Sequence, residues 1–108
     1  MNDTTPEIDV DRLAGAHEDG ATVIDVREPR EFHDARVPGA VLMPMGQLSS
    51  RLHELDRDRP VYVVCATGNR SAAMTDLLVA NGYDAYSVAG GTSAWARSGR
   101  PVESGAGR

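Results

Sequence analysis

The sequence predicts a single α/β domain, a central mostly parallel sheet with helices on both faces. Short runs of β-branched and other apolar residues alternate with segments of helical period, which is typical of α/β domains. The run Val61–Val64 is apolar at every position, which indicates a central strand that is covered on both faces. With 108 residues in all, the chain has the length of one domain.

The predicted strands are bounded by turn-forming residues. Asp19-Gly20, Pro60 and Asn81-Gly82 each precede an apolar run, and such residues favour turns over regular structure. The predicted strands are residues 7–9 (the weakest), 21–26, 40–43, 61–64 and 84–88.

The predicted helices fill the intervals between the strands. Pro29 stands where a first helical turn accepts proline, and Leu48, Leu52 and Leu55 fall at the i, i+4, i+7 spacing of one helix face. The predicted helices are residues 9–16, 29–33, 47–55, 70–80 and 92–97. Trp95 and Phe32 are expected in the core, and the three histidines, His17 among them, are expected on the surface.

Both ends of the chain are polar or made of small residues. Residues 1–6 are therefore predicted to be a flexible N-terminus and residues 103–108 a flexible C-terminal tail. The folded domain is predicted to span residues 7–102.

The composition excludes several classes of protein and chemistry. All 11 basic residues are arginine and 16 residues are acidic, for a net charge of −5, which disfavours nucleic-acid binding and leaves no lysine for Schiff-base chemistry. The longest apolar run, residues 61–66, is far shorter than the ~20 residues of a membrane span. A single cysteine and three scattered histidines allow neither an intramolecular disulfide nor a cysteine-rich metal site.

We expect a cytoplasmic protein without metal or cofactor, since a free thiol suits a reducing compartment and no secretory signal is visible.

The one cysteine stands at the position where this class of fold places reactive groups. Cys65 ends the predicted central strand, and a short loop with Gly68 leads into the next helix. Ligands of open α/β sheets bind at the carboxyl ends of the strands. Backbone N–H groups of such a loop, the helix N-terminus and the side chain of Arg70 would favour a thiolate at Cys65.

Four segments together resemble the rhodanese family of sulfurtransferases. The loop Cys65-x-x-Gly68-x-Arg70-Ser71 is similar to the active-site loop of that family. The other three similar segments, in the order of the family, are Asp25-Val-Arg27-Glu-Pro29-Arg-Glu31-Phe32, Pro38-Gly39-Ala40 with Pro44, and Gly90-Gly91…Trp95…Gly99-x-Pro101.

The resemblance implies a parallel sheet of about five strands and catalysis by Cys65. It implies attack by this thiolate on the sulfane sulfur of a donor such as thiosulfate, a persulfide on Cys65, and transfer to cyanide, a small thiol or a protein thiol. The residues that would bind the anion and the persulfide are Ala66, Thr67, Gly68, Asn69, Arg70 and Ser71. Asp25 and Arg27 are interpreted as a structural pair below the loop.

Two other functions remain open from the sequence. The domain could carry a persulfide, or only dock, for a partner enzyme, since Arg70 is the one basic side chain of the loop. A phosphatase or arsenate reductase of the same fold is disfavoured, because four residues between Cys65 and Arg70 form a tighter ring than such enzymes use for phosphate. A partner protein is therefore one possible acceptor, beside the small sulfur donor and acceptor.

Overall fold

In a computed structural model, which describes residues 4–105, five strands form one parallel sheet in the order β1-β5-β4-β2-β3. The elements are β1 (Glu7–Ile8), α1 (Val10–Glu18), β2 (Thr22–Asp25), α2 (Pro29–Asp34), β3 (Val41–Leu42), β4 (Val61–Val64), α3 (Asn69–Ala80), β5 (Ala85–Val88) and α4 (Gly91–Arg97). The predicted fold class and the central position of β4 are confirmed.

Two apolar clusters, one on each face of the sheet, make up the core. One lies against α3 and contains Val63, Cys65 and Leu78, whereas the other lies against α1 and α4 and contains Val64 and Trp95. Alternate residues of β4 thus point to opposite faces, as in any strand. Because both faces are covered, every position of β4 is apolar.

The predicted helix 47–55 is wrong. Two short 3₁₀ turns, Leu48–Ser50 and Leu52–Glu54, occupy this segment. The hydroxyl of Ser50 donates to the carbonyl of Gln47, and such local bonds compete with a continuous helix. Buried Leu48 and part-buried Leu52 and Leu55 still pack on the cluster of α3, so the apolar spacing was correct and the helical geometry was not.

Two further expectations about aromatic rings and histidines need correction. His17 was expected on the surface but is part-buried. Its Nε2 lies 2.6 Å from the carbonyl oxygen of Pro38, and its ring lies 5.6 Å from that of Trp95. Phe32 is only part-buried and lies in neither cluster; the guanidinium of Arg36 stacks over its ring at 4.7 Å.

The described parts of both chain ends contact the domain. The carbonyl of Pro6 accepts from the N–H of Ser87, and Glu103 pairs with Arg36 as an isolated antiparallel bridge. Flexibility of the ends stays a prediction, and residues 1–3 and 106–108 lie outside the described residues. Within residues 4–105, none of the helices has the length and apolarity needed to cross a bilayer.

Candidate active site

The loop between β4 and α3 holds the single thiol at the carboxyl edge of the sheet. Cys65 directly follows β4 and is 1 % exposed, and α3 begins four residues later, after Gly68. Gly68 has φ = 115°, a conformation that residues with a side chain rarely adopt. The glycine lets the chain turn tightly enough for the first turn of α3 to face the sulfur.

Three groups of the loop and of α3 converge on the Sγ atom of Cys65. The backbone N–H of Gly68 donates to it at 3.1 Å, and that of Ser71 at 3.3 Å. The hydroxyl of Ser71 lies 3.5 Å from the sulfur and accepts from the thiol. N–H groups at the start of a helix carry partial positive charge, so this arrangement can stabilise an anion on sulfur.

The pKa of the Cys65 thiol is lowered from its ordinary value. Burial acts first and raises it, because a thiolate loses hydration. The opposing hydrogen bonds from the Ser71 hydroxyl and from the N–H groups of Ser71, Gly68 and Thr67 outweigh burial. The site therefore favours the thiolate, the nucleophilic form of cysteine.

Arg70 is not a free cation above the loop. Its two Nη atoms donate to the two carboxylate oxygens of Glu31 in α2, each at 2.8 Å. About a third of each side chain is exposed. The hydrogen bond from Arg70 lowers the pKa of Glu31 to about 2, and its partner Glu31 raises the pKa of Arg70. The charge expected from the sequence is present but is neutralised by a carboxylate 39 residues away in the chain.

The remaining predicted loop residues differ in how exposed they are. Thr67 and Asn69 are exposed, and Ala66 is part-buried. The side chain of Ser71, by contrast, is fully buried. The binding roles expected of these residues stay predictions.

The start of α4 supports the loop from beneath. The N–H of Thr92 donates to the carbonyl of Cys65 at 2.9 Å, and that of Ser93 to the carbonyl of Ala66 at 3.0 Å. A Cβ atom at Gly91 would collide with both of these carbonyl groups. The second of the two consecutive glycines thus permits α4 to pack directly on the backbone of the loop.

Asp25 and Arg27 form a buried ion pair at the end of β2, next to β4. Their closest atoms, Asp25 Oδ2 and Arg27 Nη2, are 2.8 Å apart, and Arg27 Nη2 also donates to the carbonyl of Ala35. The pair lies at the carboxyl edge of the sheet. Among the described residues, neither side chain is hydrogen-bonded to the loop. The supporting role below the loop that was expected from the sequence stays a prediction.

Two residues near the sulfur were given no role in the sequence analysis. Glu31 was noted only as part of a motif, and its pairing with Arg70 joins elements far apart in the chain. Ser87 of β5 is fully buried, and its hydroxyl lies 2.8 Å from that of Ser71. A polar residue within an apolar strand is the only sequence signal for Ser87.

In residues 4–105, no group of three or more His, Cys, Asp and Glu side chains is arranged to hold a metal ion.

Comparisons with known proteins agree with the fold. The Rhodanese-like domain profile matches residues 9–98. A thiosulfate sulfurtransferase GlpE of Pseudomonas syringae pv. syringae is 38 % identical over 79 residues, which are 72 % of this chain and 74 % of that protein. A sulfurtransferase of Allochromatium vinosum is 33 % identical over 99 residues, 89 % of this chain and 92 % of the other.

Solved structures show the same architecture. A rhodanese-related protein of Thermoplasma volcanium superposes with a TM-score of 0.85 at 34 % identity and covers 91 % of this chain and 97 % of its own. A thiosulfate sulfurtransferase of Pseudomonas aeruginosa gives a TM-score of 0.86 at 26 % identity, over 96 % of this chain and 21 % of its own. The profile match and the identity to these relatives establish that the chain belongs to the rhodanese family.

Proposed function

We propose that this protein is a sulfurtransferase in which Cys65 carries the transferred sulfur. The Cys65 thiolate attacks the outer, sulfane sulfur of a donor such as thiosulfate. A bond forms between Sγ and that sulfur, the bond to the sulfite sulfur breaks, and sulfite leaves with the electron pair. The product is a persulfide on Cys65.

The second step regenerates the thiolate. A thiophilic acceptor (cyanide, a small thiol or a protein thiol) attacks the outer sulfur of the persulfide, and Cys65 leaves as a thiolate. Neither step requires a general base, a metal or an organic cofactor, because the lowered pKa of the Cys65 thiol favours the thiolate and the leaving groups are stable anions.

The observation that carries the proposal is the set of donors around Sγ. The N–H groups of Gly68 and Ser71 and the Ser71 hydroxyl lie within 3.5 Å of the sulfur, as stabilisation of a thiolate requires. Both relatives are named sulfurtransferases, which supports the same chemistry here. We assign Ala66, Thr67, Gly68, Asn69, Arg70 and Ser71 to persulfide and anion binding, and Asp25 and Arg27 to support of the loop.

Intact mass spectrometry tests the first step directly. We expect incubation with thiosulfate to add the mass of one sulfur atom, and treatment with cyanide to remove it with release of thiocyanate. The Cys65→Ser variant is the matched control and should gain no sulfur. A wild-type protein that gains no mass from thiosulfate or from glutathione persulfide contradicts the proposal.

A persulfide carrier for a partner enzyme is the second candidate function. The observation that favours it is the pairing of Arg70 with Glu31, which leaves this basic side chain of the loop neutralised when an anionic donor approaches. Steady-state turnover with thiosulfate and cyanide separates the two. Rapid turnover favours the enzyme, whereas easy loading with slow turnover favours a carrier that delivers sulfur to a partner protein.

Hydrolysis of phosphate esters is the remaining alternative activity. Cysteine-dependent hydrolysis of an aryl phosphate would favour a phosphatase, which the four-residue spacing between Cys65 and Arg70 disfavours.

We propose the cytoplasm as the location, because a lone thiol that must stay reduced suits that compartment. We also propose residues 7–102 as the boundaries of the domain.

A further inference from the structure

Ser87 is a polar residue on an apolar face of the sheet. It follows Ala85 by two positions in β5 and lies in register with Val63 of β4, and both of those residues belong to the cluster that packs on α3. Ser87 is 0 % exposed. A buried hydroxyl is costly unless it is hydrogen-bonded, and the partner of the Ser87 hydroxyl among residues 4–105 is the Ser71 hydroxyl, at 2.8 Å.

The Ser71 hydroxyl is the centre of three polar contacts. Its Oγ lies 2.8 Å from Ser87 Oγ, 3.1 Å from the carbonyl oxygen of Gly68 and 3.5 Å from Cys65 Sγ. A serine hydroxyl has one proton to donate and two lone pairs that accept. The positions of hydroxyl protons are therefore decided by counting donors and acceptors.

With Cys65 as a thiol, one arrangement satisfies all three contacts. The Cys65 thiol and the Ser87 hydroxyl both donate to Ser71 Oγ, and Ser71 donates to the carbonyl of Gly68. If Ser87 instead accepted from Ser71, the proton of Ser71 would be used there, and neither the Gly68 carbonyl nor the sulfur could receive it.

With Cys65 as a thiolate, the same direction of the Ser87 bond is required. The sulfur then has no proton and needs the proton of Ser71. The Gly68 carbonyl can lose the hydrogen bond from the Ser71 hydroxyl, because it still accepts from the N–H of Ala72 at 3.1 Å. Ser87 must continue to donate, since this keeps the Ser71 proton available for the sulfur.

We propose that Ser87 is a positioning residue for the nucleophile: its buried hydroxyl donates to Ser71 and thereby directs the Ser71 proton toward the Cys65 thiolate. Ser87 acts through Ser71 and does not itself touch the sulfur. The consequence for sulfur transfer rests on the proposed function, but the ionisation of Cys65 can be measured without any turnover. Failure of this proposal and failure of the proposed function are therefore distinguishable.

The charged groups around the loop stay in place in the experiment. Arg70 of α3, its partner Glu31 of α2, and the Asp25–Arg27 pair at the end of β2 act on the site through their charges. None of them is hydrogen-bonded to Ser87 among the described residues, and substitution of Ser87 removes a hydroxyl without changing a charge.

Titration of the thiolate by its ultraviolet absorbance tests the proposal in the full chain. The Cys65→Ser variant supplies the baseline, because it retains every tyrosine and lacks the thiol. We expect Ser87→Ala to lower the ionisation constant of Cys65 about two- to fivefold, and Ser71→Ala to lower it about tenfold, as loss of one hydrogen bond to an anion predicts. In the Ser71→Ala background, Ser87→Ala should have no further effect.

Thr75 offers a matched control. It is fully buried in α3, one turn beyond Ser71, and its hydroxyl has no hydrogen-bond partner among the described residues. Thr75→Val should leave the ionisation constant unchanged, and thermal unfolding verifies that each variant is folded. Two results overturn the proposal: an ionisation constant that rises or stays the same in Ser87→Ala, or an equal decrease when Ser71 is already alanine.

Discussion

Two arginine–carboxylate pairs lie near the loop and have the same contact distance but different surroundings. Asp25 and Arg27 are joined at 2.8 Å with side chains that are 0 % and 6 % exposed, whereas Glu31 and Arg70 are joined at 2.8 Å with about a third of each exposed. A buried pair leaves an uncompensated charge when one partner is removed, but water screens a part-exposed pair. The first pair therefore stabilises the end of β2, and the second determines how much charge Arg70 contributes beside the loop.

The largest expected effect is on the buried pair. Asp25→Asn leaves the guanidinium of Arg27 buried without a counter-charge, and we expect a loss of about 3–5 kcal/mol in the free energy of unfolding. Urea unfolding followed by circular dichroism measures it. Glu31→Gln is the matched control at the part-exposed pair, with an expected loss of about 0.2–1 kcal/mol. Similar losses in both variants would remove the distinction between the pairs.

The next effect is on sulfur loading from an anionic donor. Glu31→Gln removes the carboxylate that neutralises Arg70, so we expect thiosulfate to form the Cys65 persulfide about two- to fivefold faster at low salt. The gain should disappear in high salt, because mobile ions screen exposed charges. Arg70→Ala should slow loading by less than about tenfold, since the cation is already paired. A slower reaction in Glu31→Gln would show that loading depends more on the positioning of Arg70 by Glu31 than on the free charge of Arg70.

The stability from Glu31 should depend on pH in acid. The pKa of Glu31 is lowered from 4.5 to about 2 in the folded protein, chiefly by the hydrogen bond from Arg70. Between these values the unfolded chain binds more protons than the folded one, so this stability is complete above about pH 4.5 and is lost as pH falls toward 2. The difference in unfolding free energy between wild type and Glu31→Gln should shrink over that window. A difference independent of pH would contradict the pairing.

The smallest expected effect is the response of each pair to salt. A double-mutant cycle on Glu31 and Arg70 should give a coupling energy of at most about 1 kcal/mol, which falls as salt is added. The corresponding cycle on Asp25 and Arg27 should keep its coupling energy, because mobile ions do not reach a buried pair. Equal salt dependence in the two cycles would contradict the difference in burial.

Local patterns were sufficient to predict most of the elements. The strand Val61–Val64 has the predicted bounds, and the predicted helix 70–80 differs from α3 by one residue at its start. In both segments, neighbours in the chain decide the geometry: an all-apolar run for the strand, and the residues around Gly68 for the helix start. The segment 47–55 failed because the same leucine spacing suits a helix and two 3₁₀ turns that bury Leu48 against the core.

The sequence by itself determined the fold class, the family and the position of Cys65 at the end of a central strand, because these depend on short-range patterns. Only the tertiary structure decided which groups face each other across the site. Arg70 meets Glu31 across 39 residues, and Ser71 meets Ser87 across 16. Contacts between separate elements depend on how the sheet and helices pack, and no spacing within a single segment encodes them. The charge of Arg70 was therefore predictable, but its neutralisation and the buried hydroxyl behind the sulfur were not.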